Sequence, residues 1–397
     1  MRLRIAAAAL AATLGAGTAA AETVKVLFVG NSYSFGRADP VMSYNAANVH
    51  DLTLAMWQAN PAGSNAFEPH PWGGVAGIFK QFTVQAGLDY DVSLSARNAA
   101  SLRGHFLNTN SAGWDLRSNI GAQSWSKVVL QEQSDEPLPK QNGLASNPDW
   151  FGNYTDKIED YVHQGTAHSY RERDFFAGAT TAEQTAACQA ATGSSSNSCN
   201  TVRNIPANLN ASSATQLYLY QTWARPNLIN APFTTVTDPV TGAVSFTTTP
   251  ATSYYGSLEA MTADLRQAYI DAAALAGADG TGGVTGIAPV GESFLRAVTS
   301  GVATRDMYAP GAFGDGLIDL WFDDGTHASK YGSYLSALTL FGTLTGLDPA
   351  MLGANEIAAA DLGISVADAL ALQRVASDQL GFAAPVPEPG TWAMLLA

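Results

Sequence analysis

The chain has 397 residues and a net charge of −14, with 46% hydrophobic and only 14% charged side chains. That is enough apolar material for a sizeable core. It argues against a nucleic-acid partner, because phosphate binding rests on Lys and Arg, and here 20 of them face 34 acidic residues.

In chain order, Arg2 and Arg4 precede an apolar run over residues 5–20, and Ala19-Ala20-Ala21 supplies small residues at a cleavage position. Residues 1–21 therefore read as a secretory signal, and the run is short for a membrane span. The expected globular domain covers 22–383. VKVLFV (24–29), WSKVVLQ (125–131) and LYLYQTW (217–223) are unbroken apolar runs bounded by turn formers, as strands covered on both faces should be, and VTGIAPVG (284–291) is a weaker fourth. Helical spacing is clearest over 257–276 and present over 154–164, 331–344 and 358–380. Strands alternating with helices predict an α/β fold of three layers, α/β/α, around a mainly parallel sheet.

Two stretches read as loop insertions, 179–214 and 227–252, and the second contains a candidate hairpin (TTVTDPVTGAVSFTTT). Cys188 and Cys199, the two cysteines of the chain, lie in the first and are expected to form a disulfide after export. No histidine stands beside them, so a metal site is not expected there. The chain closes on Pro387-Glu388-Pro389 followed by Trp392 and Leu-rich residues. This resembles the start of a PEP-CTERM sorting signal over 384–397, without its basic tail. The resemblance implies export in a Gram-negative bacterium, processing by exosortase-type machinery, and a place in the periplasm, at the cell surface or in the extracellular matrix.

Two short motifs carry the chemistry. The first strand ends in Gly30-Asn31-Ser32, which puts a serine where the chain turns toward a helix, at the carboxyl edge of the sheet. Asp323-Asp324-Gly325-Thr326-His327 lies near the end of the domain. A serine needs an adjacent base, and the base needs a carboxylate on its other ring nitrogen. Asp324, three residues before His327, has the spacing for that contact, with Asp323 as the fallback.

Together these motifs resemble the SGNH (GDSL-like) hydrolase family, in its subgroup with Gly-Asn-Ser in place of Gly-Asp-Ser. Asn98-Ala99-Ala100-Ser101-Leu102-Arg103-Gly104-His105 is similar to that subgroup's Gly-Gly-x-Ser-Leu-x-x-His, with Ala99 at a glycine position. Leu130-Gln131-Glu132-Gln133-Ser134 replaces the usual Gly-x-Asn-Asp block. Tyr220–Arg225, Ala288–Glu292 and Ser329–Leu335 also look like recurring family segments, so the likeness runs over about 24–380 outside the insertions.

The resemblance implies an exported serine esterase with Ser32, His327 and Asp324 as nucleophile, base and orienting acid. The N–H groups of Ser32 and Ala99 would form the oxyanion hole with the amide of Gln131 or Gln133, which strand alternation places on one side. Neither metal nor organic cofactor is implied. The expected substrate is an ester, acetyl above all, on a carbohydrate; a non-catalytic carbohydrate-binding protein on the same fold is the alternative. Asn31, His105 and Trp72 are secondary candidates for substrate contact. His105 has packing as its default role, and Trp72, in an expected loop, is offered as a ring to stack on a sugar. His50, His70, His163 and His168 show no metal-like spacing.

Overall fold

The computed structural model describes residues 22–62, 68–108, 113–229, 235–237, 244–246, 253–309 and 311–382. The expected signal peptide and the Pro-Glu-Pro tail lie outside the described residues. The described strands are β1 Val24–Gly30, β2 His50–Asp51, β3 Tyr90–Ala96, β4 Lys127–Gln131, β5 His168–Arg171, β6 Val202–Ile205, β7 Gln216–Tyr220, β8 Thr235–Thr237, β9 Val244–Phe246 and β10 Gly286–Ala288. Six form one sheet in the order β10-β7-β4-β1-β3-β2, and every pair in it is parallel.

Parallel strands need helical crossovers, which cover both faces of the sheet. The alternation of side chains shows it: Val26 and Phe28 of β1 enter one buried cluster, Leu27 and Val29 the other. The first face is covered by the helices Gly74–Gln85, Val290–Thr299, Lys330–Thr345 and Val366–Leu380. The second is covered by Leu102–Leu107 and Pro148–His163. Leu258–Ala276 serves both, with Met261 and Leu265 in one cluster and Tyr269 and Ala272 in the other. The architecture is the expected three-layer α/β/α.

Several elements differ from the sequence reading. β3 (YDVSLSA) was not anticipated, because Asp91, Ser93 and Ser95 break its apolar pattern. It nevertheless pairs along the whole of β1. Ser95 is fully buried, and its hydroxyl accepts a hydrogen bond from Asn119 Nδ2 at 2.8 Å, which meets the polar demand of that face. The expected helix over 358–380 is two, Ile357–Asp361 and Val366–Leu380, because Gly363 takes φ 65° between them and Ser365 caps the second. The helix expected over 154–164 starts earlier, with Pro148 at its first position.

The stretch 179–214 contains two helices, Thr181–Thr192 and Ser196–Asn200, joined by the Cys188–Cys199 disulfide. β6 follows and pairs antiparallel with β5. In the second insertion β8 and β9 pair antiparallel, as the candidate hairpin requires.

Candidate active site

β1 ends where the chain order of the sheet reverses, with β3 on one side and β4 on the other, the position at which open parallel sheets form their ligand crevice. Gly30 closes the strand because a Cβ there would meet Ser34 Oγ and Gln131 Oε1. Gln131 Oε1 accepts hydrogen bonds from Asn31 N and Ser34 Oγ, both at 2.9 Å. Asn31 caps the short helix Ser32–Phe35: its Oδ1 accepts from Tyr33 N at 3.1 Å, and its Nδ2 donates to Ala100 O at 3.0 Å. Ser32 thus opens a helix in a turn that three side chains hold.

The Asp323–His327 loop is pinned on its other side. Tyr33 Oη donates to Thr326 O at 2.8 Å and Trp223 Nε1 donates to the same oxygen at 3.0 Å, while the two rings stack with centroids 4.2 Å apart. Gly325 takes φ 64°, and a side chain there would run into Tyr308 Oη.

These supports bring Ser32 Oγ to 2.8 Å from His327 Nε2, and His327 Nδ1 to 2.5 Å from Asp324 Oδ2. It is Asp324 that meets the ring, not the fallback Asp323. Asp324 Oδ1 accepts the N–H groups of Thr326 and His327, each at 2.9 Å. Burial alone would raise the pKa of Asp324, but the hydrogen bonds from His327 and Thr326 outweigh it and hold the carboxyl below its ordinary range.

The oxyanion candidates separate. No described residue accepts a hydrogen bond from the N–H of Ser32 or Ala99, and both residues line the cleft. Ala99 takes the left-handed φ of 53°, the conformation that suits the glycine its place in the motif implies. Gln131 is corrected: it is buried, its oxygen holds the Ser32 turn, and its Nε2 donates to Glu132 O. Gln133 lines the cleft, and its Oε1 accepts from Asp135 N at 3.1 Å, leaving Nε2 without a partner among the described residues.

Two further candidates are corrected. Trp72 is fully buried, stacked between Phe35 and His70, and so has no face to offer a sugar. His105 is also buried and does not line the cleft; burial, with Arg97 nearby, pushes its pKa down to about 3, so it is neutral. Asn31 touches the cleft, but its side chain is spent on Tyr33 N and Ala100 O.

Sequence reasoning missed several residues. Arg37, Asn98, Ser134 and Arg225 all line the cleft. Asn98, Ser134 and Arg225 stand inside blocks already quoted as family-like, so their presence was legible though their role was not. Glu132 was also missed. Its Oε1 accepts from Leu102 N at 2.9 Å and Gln133 N at 2.6 Å, tying the Ala99 block to the Gln133 block.

The cleft holds about 280 Å³. A larger cavity of about 390 Å³, lined by Phe151, Ala268, Leu275 and the carboxylates of Asp149, Asp264 and Asp271, contains no nucleophile and base pair. Among the described residues, Asp156, Glu159 and Asp279 bring three carboxylates together. Lys157 pairs with Asp156, and His163, Thr281 and Gly283 already engage Glu159.

No family model and no curated protein matches the chain. Solved structures with a similar chain path include a DUF4886 family protein from Bacteroides uniformis ATCC 8492, at 14% identity and a TM-score of 0.44, covering 91% of this chain and 96% of that one. A protein from Slackia heliotrinireducens, provisionally described as an SGNH hydrolase, is 16% identical at a TM-score of 0.36, covering 81% of this chain and 100% of its own. One from Parabacteroides merdae ATCC 43184, provisionally described as a GDSL-like lipase, is 12% identical at 0.38, covering 82% and 96%.

Proposed function

We propose that this chain is a serine esterase of the SGNH type that hydrolyses carboxylic esters, acetyl esters on carbohydrate foremost. The observation that carries the reading is the continuous contact from Ser32 Oγ through the His327 ring to Asp324, at 2.8 and 2.5 Å. Hydrogen-bond reach between nucleophile and base, with the base oriented by a third group, is what acyl transfer requires.

Ser32 Oγ attacks the ester carbonyl carbon while His327 Nε2 takes its proton. The negative charge that develops on the carbonyl oxygen meets the N–H groups of Ser32 and Ala99 and the Nε2 of Gln133. His327 passes its proton to the departing alkoxide, leaving the acyl group on Ser32. Water then attacks the acyl-enzyme as His327 takes its proton. That proton returns to Ser32 as the acid leaves. Asp324 holds the tautomer and stabilises the imidazolium in both halves.

Export and sorting by exosortase-type machinery belong to the same proposal and rest on the two ends of the sequence. The test is hydrolysis of p-nitrophenyl acetate and acetylated xylan by the purified protein beside Ser32→Ala. Activity that disappears in a folded variant supports the esterase. Equal or absent activity in both sinks the Ser32 mechanism for these esters and favours a carbohydrate-binding role.

A further inference from the structure

The lining of the Ser32 cleft contains two guanidinium groups, Arg37 and Arg225, and no carboxylate. In a chain where 34 acidic side chains face 20 basic ones, two cations turned into one cleft stand out, although each has a carboxylate behind it, Glu68 beside Arg37 and Asp135 beside Arg225.

Arg225 is held as a fixed fork. Its Nε donates to Asn227 Oδ1 at 3.2 Å, one terminal nitrogen to Ser134 Oγ at 2.8 Å and the other to Thr326 Oγ1 at 3.2 Å. Those acceptors are neutral and orient the group. Asp135 Oδ2 stands 3.6 Å from the nitrogen that bonds Ser134, an ion pair without a direct hydrogen bond that offsets part of the charge. A guanidinium carries five N–H donors in a planar fork, of which these contacts use three, and such a fork is the group that binds carboxylates through paired N–H donors. Arg37, across the same cleft, pairs with Glu68, whose carboxyl burial pushes up to about 7 despite the pairing.

We propose that the substrate of this site carries a carboxylate close to the scissile ester, as an O-acetylated uronic acid does, and that Arg225 with Arg37 selects it. The proposal rests on the esterase reading and narrows it to an anionic carbohydrate ester. The volume of about 280 Å³ is at the small end for ligand sites, sufficient for one sugar ring with its ester.

The test compares kcat/KM for methyl O-acetyl-glucuronoside and methyl O-acetyl-glucoside, acetylated at the same position, in the parent, Arg225→Gln and Arg37→Gln. The parent should prefer the uronoside by about tenfold or more, as charge-assisted hydrogen bonds do. In each variant that ratio should fall toward one, and in the parent it should shrink in high salt. Because the readout is a ratio within one protein, loss of overall rate from a disturbed Thr326 loop cancels. A parent ratio of one or below, or a ratio untouched by both substitutions, overturns the proposal while activity lost in Ser32→Ala leaves the esterase standing. If neither ester is hydrolysed, the esterase reading fails for this class. Calorimetric binding of the two sugars to the parent and the variants then decides the anion preference: equal affinities would refute it.

Discussion

The two carboxylate oxygens of Asp324 take separate tasks, one facing the ring of His327 and the other gathering two backbone N–H groups of the loop. Asp324→Asn keeps the size of the group and can keep the loop, yet it offers the ring an amide and favours the wrong tautomer. kcat should fall on the order of 10³- to 10⁴-fold with KM little changed, read from steady-state kinetics on a folded variant. The two glutamines make a sharper contrast. Gln133→Ala removes a candidate oxyanion donor and should lower kcat about 100-fold or more with little effect on stability. Gln131→Ala strands Asn31 N and Ser34 Oγ in a buried turn and should cost about 1–3 kcal/mol of stability, seen as a lower urea midpoint. If Gln133→Ala retains full kcat, the oxyanion assignment is wrong. Ala99 pays for a left-handed backbone with a methyl group. Ala99→Gly should raise stability by about 0.5–1 kcal/mol, after the greater freedom of glycine in the unfolded chain is allowed for.

Among the elements, the disulfide-joined helix pair is more than an appendage. Arg103, in the short helix that follows Ala99, makes two bonds to buried Glu172, at 2.6 and 3.0 Å. Glu172 also receives Tyr154 Oη, Ser198 Oγ and Arg203, so it joins the helix pair and the β5–β6 ribbon to the second block of the site. Its desolvation is outweighed by these donors, and its carboxyl stays ionised, below the ordinary range. The bridge closes a loop between cysteines 11 positions apart. Replacing both cysteines by serine should lower stability by up to about 3 kcal/mol on the chain-entropy view, measured by thermal unfolding with and without reductant. An unchanged melting temperature would mean that the pair is held by packing alone.

For the whole molecule, opposing carboxyl shifts set a pH profile. Burial raises Glu68 to about 7, and burial together with Asp135 raises Glu136 to about 7; buried Glu132 is raised as well. A carboxyl with a raised folded pKa stabilises the fold below its unfolded value, and the benefit is lost as pH rises toward 7. Asp324 and Glu172 are shifted down, and their contribution is present above the unfolded value and lost as pH falls below about 4. His163, raised by Glu159 and Thr215 O against its own desolvation, adds to the loss on the alkaline side. Thermal stability should therefore peak in mildly acidic solution, near pH 5, and decline from there through pH 8, as calorimetry across that range would record. A peak above pH 7 would contradict these shifts.

What the sequence by itself determined is what local chain chemistry decides. Apolar runs ending at turn formers placed β1, β4 and β7, because a strand covered on both faces has no polar alternation to hide it. Helical spacing of apolar residues over 257–276 placed the helix Leu258–Ala276, and Gly30-Asn31-Ser32 and the Asp-Gly-Thr-His loop marked where a nucleophile and its base could stand. Tertiary structure alone decided the rest. β3 is a strand because β1 lies beside it, and its serines are tolerated because Asn119 reaches one of them. Which glutamine faces the cleft depended on the Ser32 turn occupying Gln131, a contact 100 residues apart in the chain. Trp72 went to the core because Phe35 and His70 stack on it, and Arg37 and Arg225 line one cleft because two loops distant in the chain border the same crevice. Contacts between residues remote in sequence leave no periodicity to read.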